Sequence, residues 1–136
     1  MHHTISLATA DRRRSLSFYR DGLGLTAFGP LADDGVPEPL QLRLGSNVSI
    51  MLIPTGGFGW VAGEDRVGPP GSNECVLSIS VPDRDAVRAR YDAALAAGGT
   101  SVYEPGQQHW DAFAAQVEDP DGHLWMILVQ PADWAS

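Results

Sequence analysis

The sequence predicts an α+β fold in which a strand, a helix and three further strands occur twice. Three observations carry this. The stretch TISLATADRRRSLSFY at 4–19 returns as VLSISVPDRDAVRARY at 76–91, setting Asp11 on Asp83 and Tyr19 on Tyr91 at one offset of 72 (83 − 11; 91 − 19). Each copy reads as an alternating strand, an aspartate helix cap and an amphipathic helix. After each helix come short apolar alternations separated by turn-forming residues.

The first strand, 4–9, sends Ile5 and Leu7 to one face and Thr4, Ser6 and Ala8 to the other. Asp11 then caps a helix whose apolar stripe is Leu16, Tyr19 and Leu23, closed at Gly22 or Gly24. Strands are expected at 25–29, 39–44 and 47–53; in the second of these, Leu40, Leu42 and Leu44 oppose Gln41 and Arg43. The second unit opens at 76–81, where Leu77, Ile79 and Val81 oppose Ser78 and Ser80. Asp83 caps a helix striped by Val87, Tyr91 and Leu95 and closed by Gly98–Gly99. Strands then follow at 101–104, 112–118 and 123–130, with EPGQQ and DPDG read as the turns between them. The first module is taken as 1–53 and the second as 75–136, together one domain. The intervening stretch 54–74, rich in Gly and Pro and containing Trp60, reads as a linker or a ligand-covering flap.

Large apolar side chains belong against the helices, which leaves the opposite sheet face lined by small and polar residues. Gln41, Arg43 and Gln116 converge there, so a curved sheet with room for a ligand is expected, and Arg43 should turn inward.

Composition narrows the function classes. The chain has 136 residues, 43% hydrophobic and 19% charged, in the range of a globular domain. Its net charge of −8, with nine arginines, no lysine and no basic cluster beyond DRRRS at 11–15, argues against nucleic-acid binding, which phosphate attraction dominates. No apolar run has membrane-spanning length, MHHTISLATAD lacks a secretory core, and a cytoplasmic protein is expected. Cys75 is the only cysteine, so neither an intramolecular disulfide nor a thiolate cluster can form; it reads as a buried, inert residue.

The order strand, helix and three strands, twice over, with SLSFYRDGLGL after the first strand and EDPDGHLWMI near the end, resembles the vicinal oxygen chelate superfamily. That group includes glyoxalase I, the bleomycin-resistance proteins and extradiol dioxygenases. The resemblance implies two βαβββ modules forming a cupped mixed sheet with helices on the convex face, often completed by a second chain. It also implies that DPDG turns the chain so that Trp125 enters the core and Met126 enters the cup.

Metal-dependent members of that group read DPDGHLWE, whose glutamate is a ligand. Here the place belongs to Met126, and the other implied ligand positions hold Thr4, Val76 and either Ser49 or Met51. None is a good donor for a hard divalent ion, so neither metal nor cofactor is expected. Of the four histidines, His2 and His3 read as frayed terminal residues, with His2 on the Thr4 face, and His123 as a capping or packing group. His109 lies beside candidate cup residues in QQHWDAF. Its neighbour Asp111 could pair with it as acid and base, or both are exposed polar groups.

The favoured function is metal-free binding of a small molecule, cationic or aromatic, as in the bleomycin-resistance branch. Trp60, Trp110, Met51 and Met126 would supply flat or pliable contacts, and Gln41, Arg43, Ser78 and Gln116 would orient the ligand. The alternatives are a divalent-metal lyase or dioxygenase of the glyoxalase or extradiol type, and a degenerate member acting as an interaction subunit. Exposed strand edges point to a homodimer.

Overall fold

The computed structural model describes residues 1–131, so the last positions of the second module, 132–136, lie outside the described residues. The first module contains β1 (His3–Thr9), α1 (Arg12–Ser17), β2 (Thr26–Phe28), β3 (Leu40–Arg43) and β4 (Val48–Pro54). The second contains β5 (Val76–Val81), α3 (Arg84–Ala96), β6 (Thr100–Gln107), β7 (Phe113–Glu118) and β8 (Leu124–Val129), with α2 (Thr55–Ala62) between the two. Each module is a four-stranded mixed sheet, ordered β1-β4-β3-β2 and β5-β8-β7-β6. Among the described residues no helix is long and apolar enough to cross a membrane.

The duplicated helix starts behave alike. Asp11 accepts from the backbone N–H of Arg13 and Arg14, and Asp83 from that of Ala86 at 2.8 Å, so both aspartates satisfy donors that a first helical turn leaves open. The first helix continues beyond α1 as a π-helical turn, Phe18–Gly22, in which the Leu23 N–H reaches back to the Phe18 carbonyl. Gly22 then lies against α3, where an added Cβ would stand 3.1 Å from the Ala97 Cβ and 3.2 Å from the Ala94 Cα, so the two helices meet at small residues.

The core is built from the predicted faces. Leu7, Leu16, Tyr19, Leu40, Leu42, Ile50 and Leu52 are buried in one half, and Val87, Tyr91, Val117, Trp125 and Ile127 in the other. This burial of branched and aromatic side chains, at about 1.5–3 kcal/mol each, is the main favourable term in folding.

Four local expectations are corrected. EPGQQ is not a turn: β6 runs through it, and Pro105, which has no N–H for a ladder, falls where the pairing register shifts between Tyr103 and Gly106. The turn comes later, at 108–112, where Asp111 adopts φ +64°. The 54–74 stretch is not wholly irregular, since α2 and a short 3₁₀ turn, Glu64–Arg66, form within it. His2 and His3 are not frayed: the His3 N–H donates to the Asn47 carbonyl and His2 Nε2 shares a hydrogen bond with Ser49 Oγ. Cys75 is exposed rather than buried.

Candidate functional site

Strand register turns the alternation into rows of side chains. On the face away from the helices, Ser6 of β1 stands beside Met51 of β4, Met51 beside Gln41 of β3, and Gln41 beside Phe28 of β2. The second sheet repeats the row as Ser78, Met126, Gln116 and Tyr103. Seven of these eight side chains are partly buried and Ser78 is exposed, so both rows are open in the single chain.

Arg43 lies on the same face one row away, opposite Ser49 and Thr26, with its guanidinium 4.3 Å from the centre of the Phe28 ring. It is exposed, but on the side the sequence predicted. The aromatic end of the second row is extended by Trp110, whose ring meets Tyr103 edge-on at 6.5 Å and His109 at 5.1 Å. Burial holds the Tyr103 phenol above its ordinary pKa, and its hydroxyl is buried with no partner among the described residues. An orphaned phenol at the end of a polar row is a vacant hydrogen-bonding position.

The structure therefore gathers Gln41, Met51 and Arg43 on one sheet, and Ser78, Met126 and Gln116 on the other, with Trp110 and His109 in the turn between β6 and β7. Trp60 joins neither group; it stands 87% exposed on α2. Phe28 and Tyr103 went unrecognised in the sequence. The repeat held a signal for both: matching Met51 to Met126 and Gln41 to Gln116 gives an offset of 75 (126 − 51; 116 − 41), which also sets Phe28 on Tyr103.

A cleft of about 600 Å³, which shares Ser6 with the first row, opens along β1, between Ser6, Ala8 and Ala10 on one side and the 66–75 stretch on the other, with Phe58 of α2 as one wall. None of the nine predicted ligand contacts lines it. Its position follows from the edge of β1. The Ala8 carbonyl accepts from His123 Nε2 at 2.7 Å, and the Ala10 N–H donates to Asp121 Oδ1 at 2.9 Å, so the DPDGH segment closes one end of that edge. His123 thus joins the two modules, a packing role as expected. His109 and Asp111 share no hydrogen bond among the described residues, which gives an acid–base pair no support.

Behind the second row, burial holds the Asp119 carboxyl above the usual aspartate range, although the hydrogen bond from Tyr19 acts in the opposite sense. Asp119 Oδ1 also accepts from the backbone N–H of Asp121 and of His123, which fixes the turn that launches β8 and hence the placement of Met126.

The positions that would hold a divalent ion do not fit one. Thr4 and Val76 are exposed, Ser49 is buried against His2, and Met51 and Met126 offer only thioethers. Hard cations take oxygen and imidazole ligands, and among the described residues no three His, Cys, Asp or Glu side chains converge.

Comparison with known proteins agrees with this architecture. The family model described as Glyoxalase/Bleomycin resistance protein/Dioxygenase superfamily matches residues 1–127. Among solved structures, a glyoxalase-related enzyme from Fulvimarina pelagi superposes with a TM-score of 0.81 at 23% identity, covering 96% of this chain and 88% of that one. A hypothetical protein from S. aureus gives 0.77 at 24% identity over 96% and 92% of the two chains. A glyoxalase/bleomycin resistance protein/dioxygenase family enzyme from Burkholderia phytofirmans PsJN gives 0.75 at 17% identity over 93% and 95%. At these identities the likeness shows the fold alone. No curated protein sequence matches significantly.

Proposed function

The chain belongs to the glyoxalase/bleomycin resistance protein/dioxygenase superfamily, and from that premise we propose that it binds a small organic molecule without a metal ion. One observation carries the reading: where metal-dependent relatives present ligands, this chain presents Thr4, Ser49 or Met51, Val76 and Met126. The same face offers what an organic ligand needs, namely thioethers for flat apolar surface, amides for orientation and an aromatic corner at Tyr103 and Trp110. The protein is proposed to act as a homodimer, since β1 and β5 each have one neighbour in their sheets.

Two measurements test this. Metal analysis of untagged protein should find no stoichiometric Zn²⁺, Ni²⁺, Mn²⁺ or Fe²⁺; stoichiometric metal would favour the lyase or dioxygenase reading. A thermal-shift screen of cationic and aromatic compounds should return a stabilising ligand, because selective binding to the native state raises apparent stability. A screen in which nothing stabilises the protein would favour an interaction subunit.

A further inference from the structure

We propose that the ligand of this face is a flat, uncharged heteroaromatic molecule with a hydrogen-bond donor on one edge and an acceptor on the opposite edge, held between the two equivalent rows. The proposal rests on the small-molecule reading above and names the class of ligand.

The argument comes from comparing the two copies of the repeat. On the strands, the side chains facing the helices differ between equivalents, Ile5 against Leu77, Leu7 against Ile79, Leu42 against Val117, Ile50 against Trp125 and Leu52 against Ile127, whereas the helices keep Tyr19 and Tyr91, and Leu23 and Leu95. Packing explains the strand differences, since each core must fill a differently shaped space. On the open face the rows have kept Ser6 and Ser78, Met51 and Met126, Gln41 and Gln116, with an aromatic ring ending each. Solvent contact alone asks for no such identity. A half-exposed methionine beside a glutamine, placed twice at one register, has a direct use if both rows grip one ligand.

The row chemistry sets the class. Neither row contains an ionisable carboxylate, amine or guanidinium. Methionine sulfur packs favourably against aromatic rings. Each glutamine amide carries donors and an acceptor, so one can accept from a ligand N–H while its equivalent donates to a ligand carbonyl. One row away, Arg43 and Glu118 occupy equivalent positions (118 − 43 = 75), so opposite charges flank the site and neither a strong anion nor a strong cation is favoured overall. Ser6 and Ser78 stand on β1 and β5, the outermost strands of their ladders on this side, so each row ends at a sheet edge, and the site is incomplete without the second row.

The test uses three fluorescent tricyclic probes of similar shape: acridone, neutral with an N–H and a carbonyl on opposite edges; 9-aminoacridine, a cation; and anthracene-9-carboxylate, an anion. Titration of purified protein should show acridone binding at least about tenfold more tightly than either charged probe, with one acridone per pair of rows. Gln41→Leu and Gln116→Leu should each weaken acridone by a similar factor, roughly three- to tenfold for one hydrogen bond. Should either variant melt early, Gln41→Glu and Gln116→Glu keep the shape while removing the amide donors, so the one at the donating glutamine should weaken acridone and the one at the accepting glutamine should not. The proposal is overturned if a charged probe binds best, if acridone fails to bind, or if the glutamine variants leave its affinity unchanged. A charged ligand that stabilises the protein and ignores both glutamines would sink this inference while leaving the small-molecule reading intact.

Discussion

The Tyr19 hydroxyl donates to Asp119 Oδ2 at 2.5 Å, joining residues one hundred positions apart, and accepts in turn from Trp125 Nε1 at 3.1 Å. The first helix of one module is thereby bonded to the turn and last strand of the other. Tyr19 and Trp125 also pack edge to face, with ring centroids 5.6 Å apart. Burial, reinforced by the neighbouring Asp119 charge, pushes the Tyr19 phenol well above its ordinary pKa and keeps it a donor.

Replacing Tyr19 with Phe removes the shared oxygen but keeps the ring. Asp119 Oδ2 and Trp125 Nε1 then lose their partner in a region sealed from water. A loss of about 1–3 kcal/mol follows for leaving buried polar groups unpaired. Urea denaturation should show a lower midpoint with an unchanged m-value. A midpoint equal to that of the wild type would mean that the bond contributes nothing net.

Asp119 also sets a pH dependence. Its folded-state pKa is raised, chiefly by burial, so its contribution to stability is fully present below the ordinary aspartate value of 3.8 and is lost as pH rises through the folded value. Asp119→Asn cannot titrate. The stability difference between variant and wild type should therefore shift in favour of the variant as pH climbs above about 4, then level off. Denaturation curves for both proteins across that range check the sign; a difference independent of pH would refute it.

These relationships mark how far the sequence could be read. The repeat, the caps at Asp11 and Asp83, and the assignment of Leu42 inward and Gln41 outward all rest on local periodicity, which the strands obey. The helix at 55–62 left no such trace. It contains Gly56, Gly57 and Gly59, which disfavour helix, and no side-chain cap; Gly59 is buried and Thr55 Oγ1 donates to the Thr9 carbonyl, contacts that exist only in the folded chain. The Tyr19–Asp119 bond was hidden for the same reason, because no pattern within one element records a partner one hundred residues away.

Gly122 ties the turn to the cleft. Its φ is +87°, and an added Cβ would stand 2.9 Å from the Gly71 backbone nitrogen. The neighbouring stretch is held there by Asn73 Nδ2, which donates to the Gly122 carbonyl at 2.8 Å. Gly122→Ala combines left-handed backbone strain with a contact that backbone must yield to, and should cost about 2 kcal/mol or more. Limited proteolysis should then cut within 66–75 faster than in wild type. Unchanged melting and unchanged cleavage together would show that the stretch does not rest on this turn.

Met126→Glu tests the metal argument from the other side. Met126 pairs in register with Ser78 and Gln116, neither of which completes a hard-metal site. A carboxylate at this partly buried place should cost about 1–3 kcal/mol. Isothermal titration with Zn²⁺ or Mn²⁺ should show no gain of tight binding. Submicromolar binding by the single variant would mean that Thr4, His2 or another nearby group supplies ligands from its present position.

The edge of β5 leads to the final prediction, since that of β1 is partly taken by His123 and Asp121. Strand His3–Thr9 pairs only with β4, and strand Val76–Val81 only with β8. Leu77, Ile79 and Val81 face the core yet remain partly exposed, unlike Ile50, Leu52 and Ile127 on inner strands. An unpaired edge bearing half-covered branched side chains is an association surface, and closed two-fold pairing protects it without forming open chains. The protein should therefore elute as a dimer in size-exclusion chromatography with light scattering at micromolar concentration. Val76→Lys, which puts a charge at an exposed position beside the half-covered side chains of that edge, should shift the mass toward one chain while circular dichroism stays native. A wild-type mass of 14.6 kDa under these conditions would refute the dimer.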